Sequence, residues 1–162
     1  MTAFRIGRVD VRVDVDPSGA RAVLAGRLDD TGPLGELVAQ LPPGDVTIDT
    51  SGILFVNSIG MREWVRLLRA LRDRGQVTLE GLADVLMVHM NVLAECRGLA
   101  RISSFHASYV CQACGYEGPM VIDAVAHEAE LRELRPPKLP CSECGAPAEL
   151  ADFPERYLSI FR

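Results

Sequence analysis

Four of the five cysteines form two matched Cys-x-x-Cys-Gly motifs in the last third of the chain, separated by 26 residues. These cysteines are Cys111, Cys114, Cys141 and Cys144. Two intervening residues let one tight turn direct both sulfurs the same way, and the following glycine accepts a left-handed backbone. Because two such pairs can surround one tetrahedral ion, we expect these four side chains to be the ligands of a metal.

The composition is that of a globular protein, with 48% hydrophobic and 24% charged residues. No apolar run reaches membrane-spanning length, and the first residues lack a secretory hydrophobic segment. We therefore expect a cytoplasmic protein without membrane insertion, whose cysteines bind metal rather than form disulfides. Lys138 is the only lysine among 17 basic residues, a bias typical of a GC-rich bacterial genome.

The negative charge is concentrated in the part of the chain that carries the cysteines. Residues 1–108 contain 12 basic and 13 acidic side chains, net −1, whereas residues 109–162 contain 5 and 9, net −4. Proteins that bind nucleic acid need a basic face to neutralise the phosphates. We therefore expect no nucleic-acid partner.

The periodicity of the first two thirds predicts an α/β fold. The patterns predict, in order, a strand or hairpin at 4–15, a strand at 21–28, a short helix to about 41, an inner strand at 46–49, a helix at 59–74, a strand at 76–80, a helix at 82–96 and a last strand at 100–109. Ser51 and Gly52 predict a turn, and Gly75 a left-handed helix end. The expected architecture is a mixed β-sheet with helices packed on it.

Residues 46–71, VTIDTSGILFVNSIGMREWVRLLRAL, carry a recognisable pattern. An Asp-x-Ser-Gly strand is followed by an apolar stretch and by a serine that opens a helix. This pattern resembles the core of a STAS domain, the family of anti-sigma-factor antagonists. The matching positions are Asp49, Ser51, Gly52, Phe55, Ser58 and Gly60. The resemblance covers residues 4–108 and implies a STAS-like domain at 1–108, followed by a four-cysteine domain at 109–162.

In STAS domains the serine at the position of Ser58 is phosphorylated by a partner kinase, which switches binding off. The resemblance therefore implies that Ser58 is a phosphorylation site. The family's usual aspartate before this serine is Asn57 here, and Ile59 stands where a small residue is usual. The residues alone support a second interpretation, in which Ser58 or Asn57 caps the next helix and contributes about 1 kcal/mol.

A row of arginines lies on the helix predicted at 59–74. In STAS domains this helix and the loop before it form the docking surface for the partner. The resemblance therefore implies partner-binding residues at Asn57, Ser58, Arg62, Arg66 and Arg69. A solvated helix face is the alternative interpretation of the same charges.

The cysteine motifs, YVCQACGYEG and LPCSECGAPAE, resemble the knuckles of a zinc ribbon and equally those of rubredoxin. The insert at 121–140 lacks the glycine-rich loop of rubredoxins, and Asp123 predicts a helix there that runs to about Leu134. We therefore expect a structural Zn²⁺, with iron as the alternative. The segment 109–162, about 54 residues with few large apolar side chains, needs such a structural metal to fold.

No pattern typical of an active site stands out, and His89, His127 and Cys96 are interpreted as structural or spare. The expected protein is a non-enzymatic signalling adaptor: its STAS domain binds an anti-sigma factor, a kinase or another switch protein, and its zinc ribbon offers a second interaction surface. A STAS subunit of a transporter ATPase and a rubredoxin-like electron-transfer protein are the alternatives. Each is compatible with a homo-oligomer.

The C-terminal tail gathers apolar side chains after the second cysteine motif. They are Phe153, Tyr157, Leu158, Ile160 and Phe161. We expect this tail to close the ribbon or to pack against the first domain. A partner-binding tail is the alternative.

Overall fold

The computed structural model describes all 162 residues and shows a mixed α/β fold with two sheets. The first sheet contains, in spatial order, β1 Thr2–Ile6, β2 Val9–Asp16, β3 Gly19–Leu28, β4 Val46–Val56, β5 Val77–Glu80 and β6 Arg101–Ile102. Strands β1 to β3 pair antiparallel, and β3 to β6 pair parallel. The predicted mixed sheet is confirmed.

The second sheet has four antiparallel strands in the order β8-β7-β10-β9. They are β7 Ser104–Val110, β8 Glu117–Asp123, β9 Leu139–Pro140 and β10 Pro147–Leu150. This sheet begins at Ser104, so the predicted division after residue 108 falls inside β7. The division into two domains stays a prediction.

Five helices accompany the sheets: α1 Glu36–Gln40, α2 Ser58–Arg72, α3 Asp84–Val92, α4 Glu128–Arg132 and α5 Pro154–Tyr157. Short 3₁₀ turns follow at Ala94–Cys96 and Ser159–Phe161. The helix predicted at 59–74 is confirmed as α2, which buries its apolar stripe on the sheet. None of the helices has the length and apolar character needed to cross a membrane.

The sequence pattern of the first hairpin explains its structure. Val9, Val11 and Val13 alternate with polar residues, and all three valines are buried on one face of β2. Because successive side chains of a strand point to opposite faces, this alternation leaves one face on the core and one in water. The hairpin predicted at 4–15 is confirmed as β1 and β2.

The turn predicted at Ser51 and Gly52 is wrong, because β4 continues to Val56. The register between β3 and β4 shifts there by one residue, which inserts a β-bulge instead of ending the strand. The Asp49 carboxylate supports the bulge by accepting hydrogen bonds from the backbone N–H and the hydroxyl of Ser51, at 2.9 and 2.6 Å. The serine-glycine pair thus bends a strand that its pairing with β3 keeps intact.

The prediction that Gly75 ends α2 in a left-handed conformation is also wrong. Asp73 is the C-cap of this helix, and Gly75 does not have a positive φ. Instead, a Cβ at Gly75 would lie 2.4 Å from the carbonyl of Gly44. This glycine is required by close backbone packing rather than by the helix end.

The helix predicted at 82–96 is shorter in the structure, where α3 spans only Asp84–Val92. Leu93 is extended, and a 3₁₀ turn replaces the predicted last turns. The side-chain amide of Asn91 donates to the Met87 carbonyl at 2.9 Å, which offers the backbone an alternative to continued helix.

The single strand predicted at 100–109 is two strands in two different sheets. The chain crosses between them at Ser103, whose backbone N–H donates to the Leu79 carbonyl of β5 at 2.9 Å. The Ser103 carbonyl accepts from the N–H of Ala124, which follows β8, also at 2.9 Å. The backbone of Ser103 therefore forms hydrogen bonds on the side of each sheet. No local sequence pattern predicts this arrangement.

The helix predicted to start at Asp123 is much shorter, because α4 covers only Glu128–Arg132. Asp123 ends β8 instead, and its carboxylate accepts from the N–H groups of Val125 and Ala126 at 3.0 Å. This is the turn-forming chemistry of an aspartate rather than a cap of the helix itself.

The tail packs against α3 and β7, as one of the two predicted arrangements requires. Tyr157 and Leu158 are buried, and the Phe161 ring lies 5.2 Å from that of Phe105 on β7. Buried residues of both sheets and the tail form one continuous hydrophobic cluster. Phe153 is the exception, since 75% of its surface is exposed.

Replacing Gly60 by alanine tests the packing of α2 on β3. An added Cβ would lie 2.0 Å from the Leu28 carbonyl oxygen, so we expect Gly60→Ala to destabilise the protein by about 2 kcal/mol or more. Gly35→Ala is the matched control, because nothing lies within 4 Å of the added atom; it should change stability by less than about 0.5 kcal/mol. Urea unfolding followed by the fluorescence of Trp64, the sole tryptophan, measures both. Equal midpoints for the two variants would contradict this packing.

Candidate functional site

The structure brings the four cysteines of the two motifs together. Their sulfur atoms all lie within 4.8 Å of one another. The Cys111 and Cys144 sulfurs are 3.6 Å apart, and those of Cys114 and Cys141 are 3.7 Å apart. Each of these close contacts joins one motif to the other, so the cluster ties together chain segments that are distant in sequence.

The two motifs have the same local structure. The N–H of Gly115 donates to the Cys111 carbonyl, and the N–H of Gly145 donates to the Cys141 carbonyl, both at 2.9 Å. Gly115 and Gly145 have φ values of 79° and 76°, a conformation that side chains beyond glycine rarely adopt. Steric crowding does not require glycine at either position, since nothing lies within 4 Å of an added Cβ. The left-handed backbone conformation is what favours glycine there.

The distances between the sulfurs fit a metal and exclude disulfides. A disulfide bond requires about 2.05 Å between sulfurs. Four thiolates at about 2.3 Å from a central tetrahedral ion lie about 3.8 Å from each other, close to the two contacts observed between the motifs. The residues therefore form a four-cysteine site that can bind a metal ion. Four ligands also complete a tetrahedron, which leaves no position for a substrate.

Backbone hydrogen bonds and neighbouring thiols shift the pKa values of Cys111 and Cys114 in opposite directions. The pKa of Cys111 is lowered to about 7, chiefly because the backbone N–H of Cys114 donates to its sulfur. The pKa of Cys114 is raised to about 12: the N–H of Tyr116 lowers it, but burial and the neighbouring thiols raise it more. The four groups cannot all ionise easily beside each other without a cation. A divalent ion supplies the charge that makes four adjacent thiolates stable.

Neither His127 nor Cys96 belongs to this site. The His127 ring nitrogen Nδ1 lies 2.8 Å from the Glu130 carboxylate, on the same helix. Cys96 is buried elsewhere, and burial, followed by the charge of Glu95, raises the pKa of its thiol to about 11. A buried, protonated thiol of this kind is chemically inert.

Four of the five predicted partner-binding residues line one open groove of about 520 Å³. The groove lies between α2 on one side and α3 with the following 3₁₀ turn on the other. Its lining residues are Ser58, Met61, Arg62, Val65, Arg66, Arg69, His89, Val92, Leu93 and Glu95. The floor is apolar, and the arginines provide a positive rim. We call this feature the α2–α3 groove.

Asn57, the fifth predicted residue, is the N-cap of α2. Its side-chain oxygen accepts a hydrogen bond from the Gly60 N–H at 2.8 Å. Ser58 is the first helical residue; its side chain is exposed and makes no hydrogen bond within the chain. The structure therefore assigns the capping role to Asn57 and leaves the Ser58 hydroxyl free.

The three arginines of the groove differ in their partners. Arg66 pairs with Glu63 on its own helix, and Arg69 pairs across the groove with Glu95, each at 2.9 Å. Arg62 has no ion-pair partner and lies one helical turn after Ser58. Positive charge is therefore least compensated at the end of the groove next to Ser58.

The second wall of the groove was not predicted from the sequence. His89, Val92 and Leu93 belong to this wall, and 72% of the Val92 surface is exposed. The His89 ring nitrogen Nδ1 lies 2.7 Å from the Val85 carbonyl, so the structural role predicted for His89 agrees with this contact. A solvent-facing valine in the last turn of an apolar helix is the one sequence signal that could have indicated this wall.

No protein-family model matches the chain, and a search of curated proteins finds no matching relative. The site is therefore interpreted from its own geometry.

The two roles assigned at the start of α2 can be separated by mutation. We expect Asn57→Ala to lower the free energy of unfolding by about 1 kcal/mol, because an N–H of the first turn loses its acceptor. Asn57→Asp should keep the stability, since a carboxylate accepts the same bond and favours a helix N-terminus. Ser58→Ala is the control and should change stability by less than about 0.5 kcal/mol. A loss for Ser58→Ala as large as that for Asn57→Ala would show that Ser58 is the cap.

Proposed function

We propose that this chain is a non-enzymatic adaptor. In this proposal a STAS-like domain binds a protein partner, and a zinc ribbon stabilises the second sheet. The observation that carries the proposal is the α2–α3 groove. Four residues to which the STAS resemblance assigns partner binding line this one surface. The bulged β4 strand and the capped start of α2 support the same interpretation, because they hold Ser58 at the open end of the groove.

The groove favours an acidic partner with apolar side chains. Arg62, Arg66 and Arg69 form its rim, while Met61 and Val65 lie at its floor. Oppositely charged rims speed encounter and select partners, whereas buried apolar contacts supply most of the affinity. Following the STAS resemblance, we assign the partner to the anti-sigma kinases or to another cytoplasmic switch protein. A transporter ATPase is the alternative partner.

Phosphorylation of Ser58 provides a physical switch for this groove. The free hydroxyl is exposed at the N-terminus of a 15-residue helix, and Arg62 lies one turn away. A phosphate adds a charge of about −1.5 to −2, which a helix N-terminus and an arginine both stabilise. The same charge would neutralise the rim and repel an acidic partner. Asn57 does not hinder this step electrostatically, because its amide is uncharged.

Zinc is the proposed metal, held by Cys111, Cys114, Cys141 and Cys144. A closed four-thiolate site supplies folding free energy rather than catalysis. Its effect should be largest at β9 and β10, because these strands pair through only two residue pairs. The ribbon also presents an acidic second surface for interactions, with Glu117, Glu143 and Glu149 exposed.

An iron centre of the rubredoxin type is the second candidate. The exposure of Cys114 and Cys144 favours it, because sulfurs at the surface shorten the path of an electron to a redox partner. The insert favours zinc, since it folds as a turn and the short helix α4 rather than as a glycine-rich loop. The metal itself separates these two candidates.

Charge reversal in the groove tests the proposed function. The tagged chain should capture a kinase or an ATPase from an extract of its own bacterium, and mass spectrometry would distinguish the two. We expect Arg62→Glu with Arg66→Glu, and separately Ser58→Asp, to reduce capture at least tenfold. The first variant replaces positive charge on the rim by negative charge, and the second adds a negative charge beside Arg62. Arg12→Glu is the matched control on the exposed face of β2 and should capture normally. Capture that is equal in all variants would contradict docking at this groove.

A further inference from the structure

Helix α3 lies between the α2–α3 groove and the C-terminal tail. His89 and Val92 face the groove, while Asn91 and Asp84 contact the tail. One wall of the groove is therefore the opposite side of the surface on which the tail packs. Helix α3 therefore connects the tail to the groove.

Asn91 is the centre of the contact between α3 and the tail. Its side chain is buried, and its amide donates to the carbonyls of Met87 and Tyr157 at 2.9 and 2.7 Å. Its oxygen accepts from the Ile160 N–H at 2.8 Å and from the Ser159 hydroxyl at 3.2 Å. All four hydrogen-bonding positions of the amide are thus used, three of them by the tail.

Tyr157 makes the second contact. Its buried hydroxyl lies 2.5 Å from the Asp84 carboxylate, in the first turn of α3, and 2.6 Å from the His106 carbonyl of β7. Burial, together with the hydrogen bond to Asp84, raises the pKa of this hydroxyl well above its usual value, so it stays a donor. Asn91 and Tyr157 together hold both ends of α3, and we call this pair the clasp.

Helix α3 has little stability of its own. It contains nine residues, its N-cap Ala83 offers no side-chain acceptor, and it ends at the extended Leu93. Isolated helices of this length are marginal in water, so their order comes from tertiary packing. Leu86, Met87 and Met90 of α3 are buried, and the clasp adds hydrogen bonds at both ends of the helix.

The tail, in turn, is positioned by the cysteine site. It follows β10, which pairs with β7 through two residue pairs and with β9 through two more. Cys141 and Cys144 lie just before β10, and Cys111 lies just after β7. Because the strand pairs are few, the shared site of the cysteines adds a direct link between the segments that carry β7 and β10.

We propose that metal binding at the four cysteines orders the groove wall, so that the α2–α3 groove is fully formed only in the metal-loaded protein. The link runs from the cysteine site through β10 and the clasp to α3. Metal loss frees β10, the clasp loosens, and α3 opens locally while the first sheet stays folded. The inference rests on the proposed metal, but it needs no partner and holds for zinc or iron.

Hydrogen exchange measured by mass spectrometry tests this coupling in the full chain. Metal-loaded protein is compared with protein stripped by a chelator under a thiol reductant. We expect amides of α3 to exchange on the order of tenfold faster or more after metal removal, because the bonds of the clasp are lost. Amides of the hairpin formed by β1 and β2 should not change. Metal content, measured on the same samples, reports separately whether the proposed site is loaded at all.

A matched pair of tyrosine variants tests the route. In metal-loaded protein, Tyr157→Phe should speed exchange in α3, because it removes the hydroxyl that contacts Asp84 and His106. Tyr116→Phe should not, since its hydroxyl bonds only locally, to Pro119 at 3.4 Å. Both variants should keep one metal per chain. The proposal is overturned if α3 exchanges equally with and without metal, or if metal removal exposes the first hairpin as much as α3.

Discussion

The convergence of four sulfur atoms is the constraint on which the second half of the structure depends. Thiols from two motifs lie within 4.8 Å of one another, although their ionised forms repel. Burial and the neighbouring thiols accordingly raise the pKa of Cys114. Strand β10, which follows the second motif, is held by only two residue pairs to β7 and two to β9. In the proposed function, a bound cation offsets this repulsion and links the two motifs.

The proposed metal would have consequences far from its own site. Strand β10 pairs with β7, and the tail that follows packs on α3 and β7, where Tyr157 and Leu158 enter the common core. There the tail supplies hydrogen bonds to α3, the wall of the proposed docking groove. Under this proposal, a metal site without an open position supports a binding surface that it does not touch.

Local patterns were sufficient where a residue's partners are close in sequence. The cysteine cluster joins segments that are distant in sequence, but the repetition of one local motif predicted it. Local patterns such as the alternating valines and the apolar stripe predicted the first hairpin and α2. They failed where distant hydrogen bonds decide the outcome. Pairing with β3 carries β4 through Ser51 and Gly52, and bonds from Ser103 to both sheets divide the predicted last strand. The α3 wall of the groove contacts the tail, some 70 residues later, and no short window contains that information.

X-ray absorption spectroscopy at the metal edge, on protein purified from its own host, tests the role of the four cysteines most directly. We predict one zinc per chain, with four sulfur neighbours at about 2.3 Å and no nitrogen or oxygen ligand, in a colourless protein. A red protein with an iron edge would favour the electron-transfer alternative over the adaptor. Fewer than four sulfur ligands, or a folded protein that binds no metal, would contradict the central claim that the four cysteines form a closed structural centre.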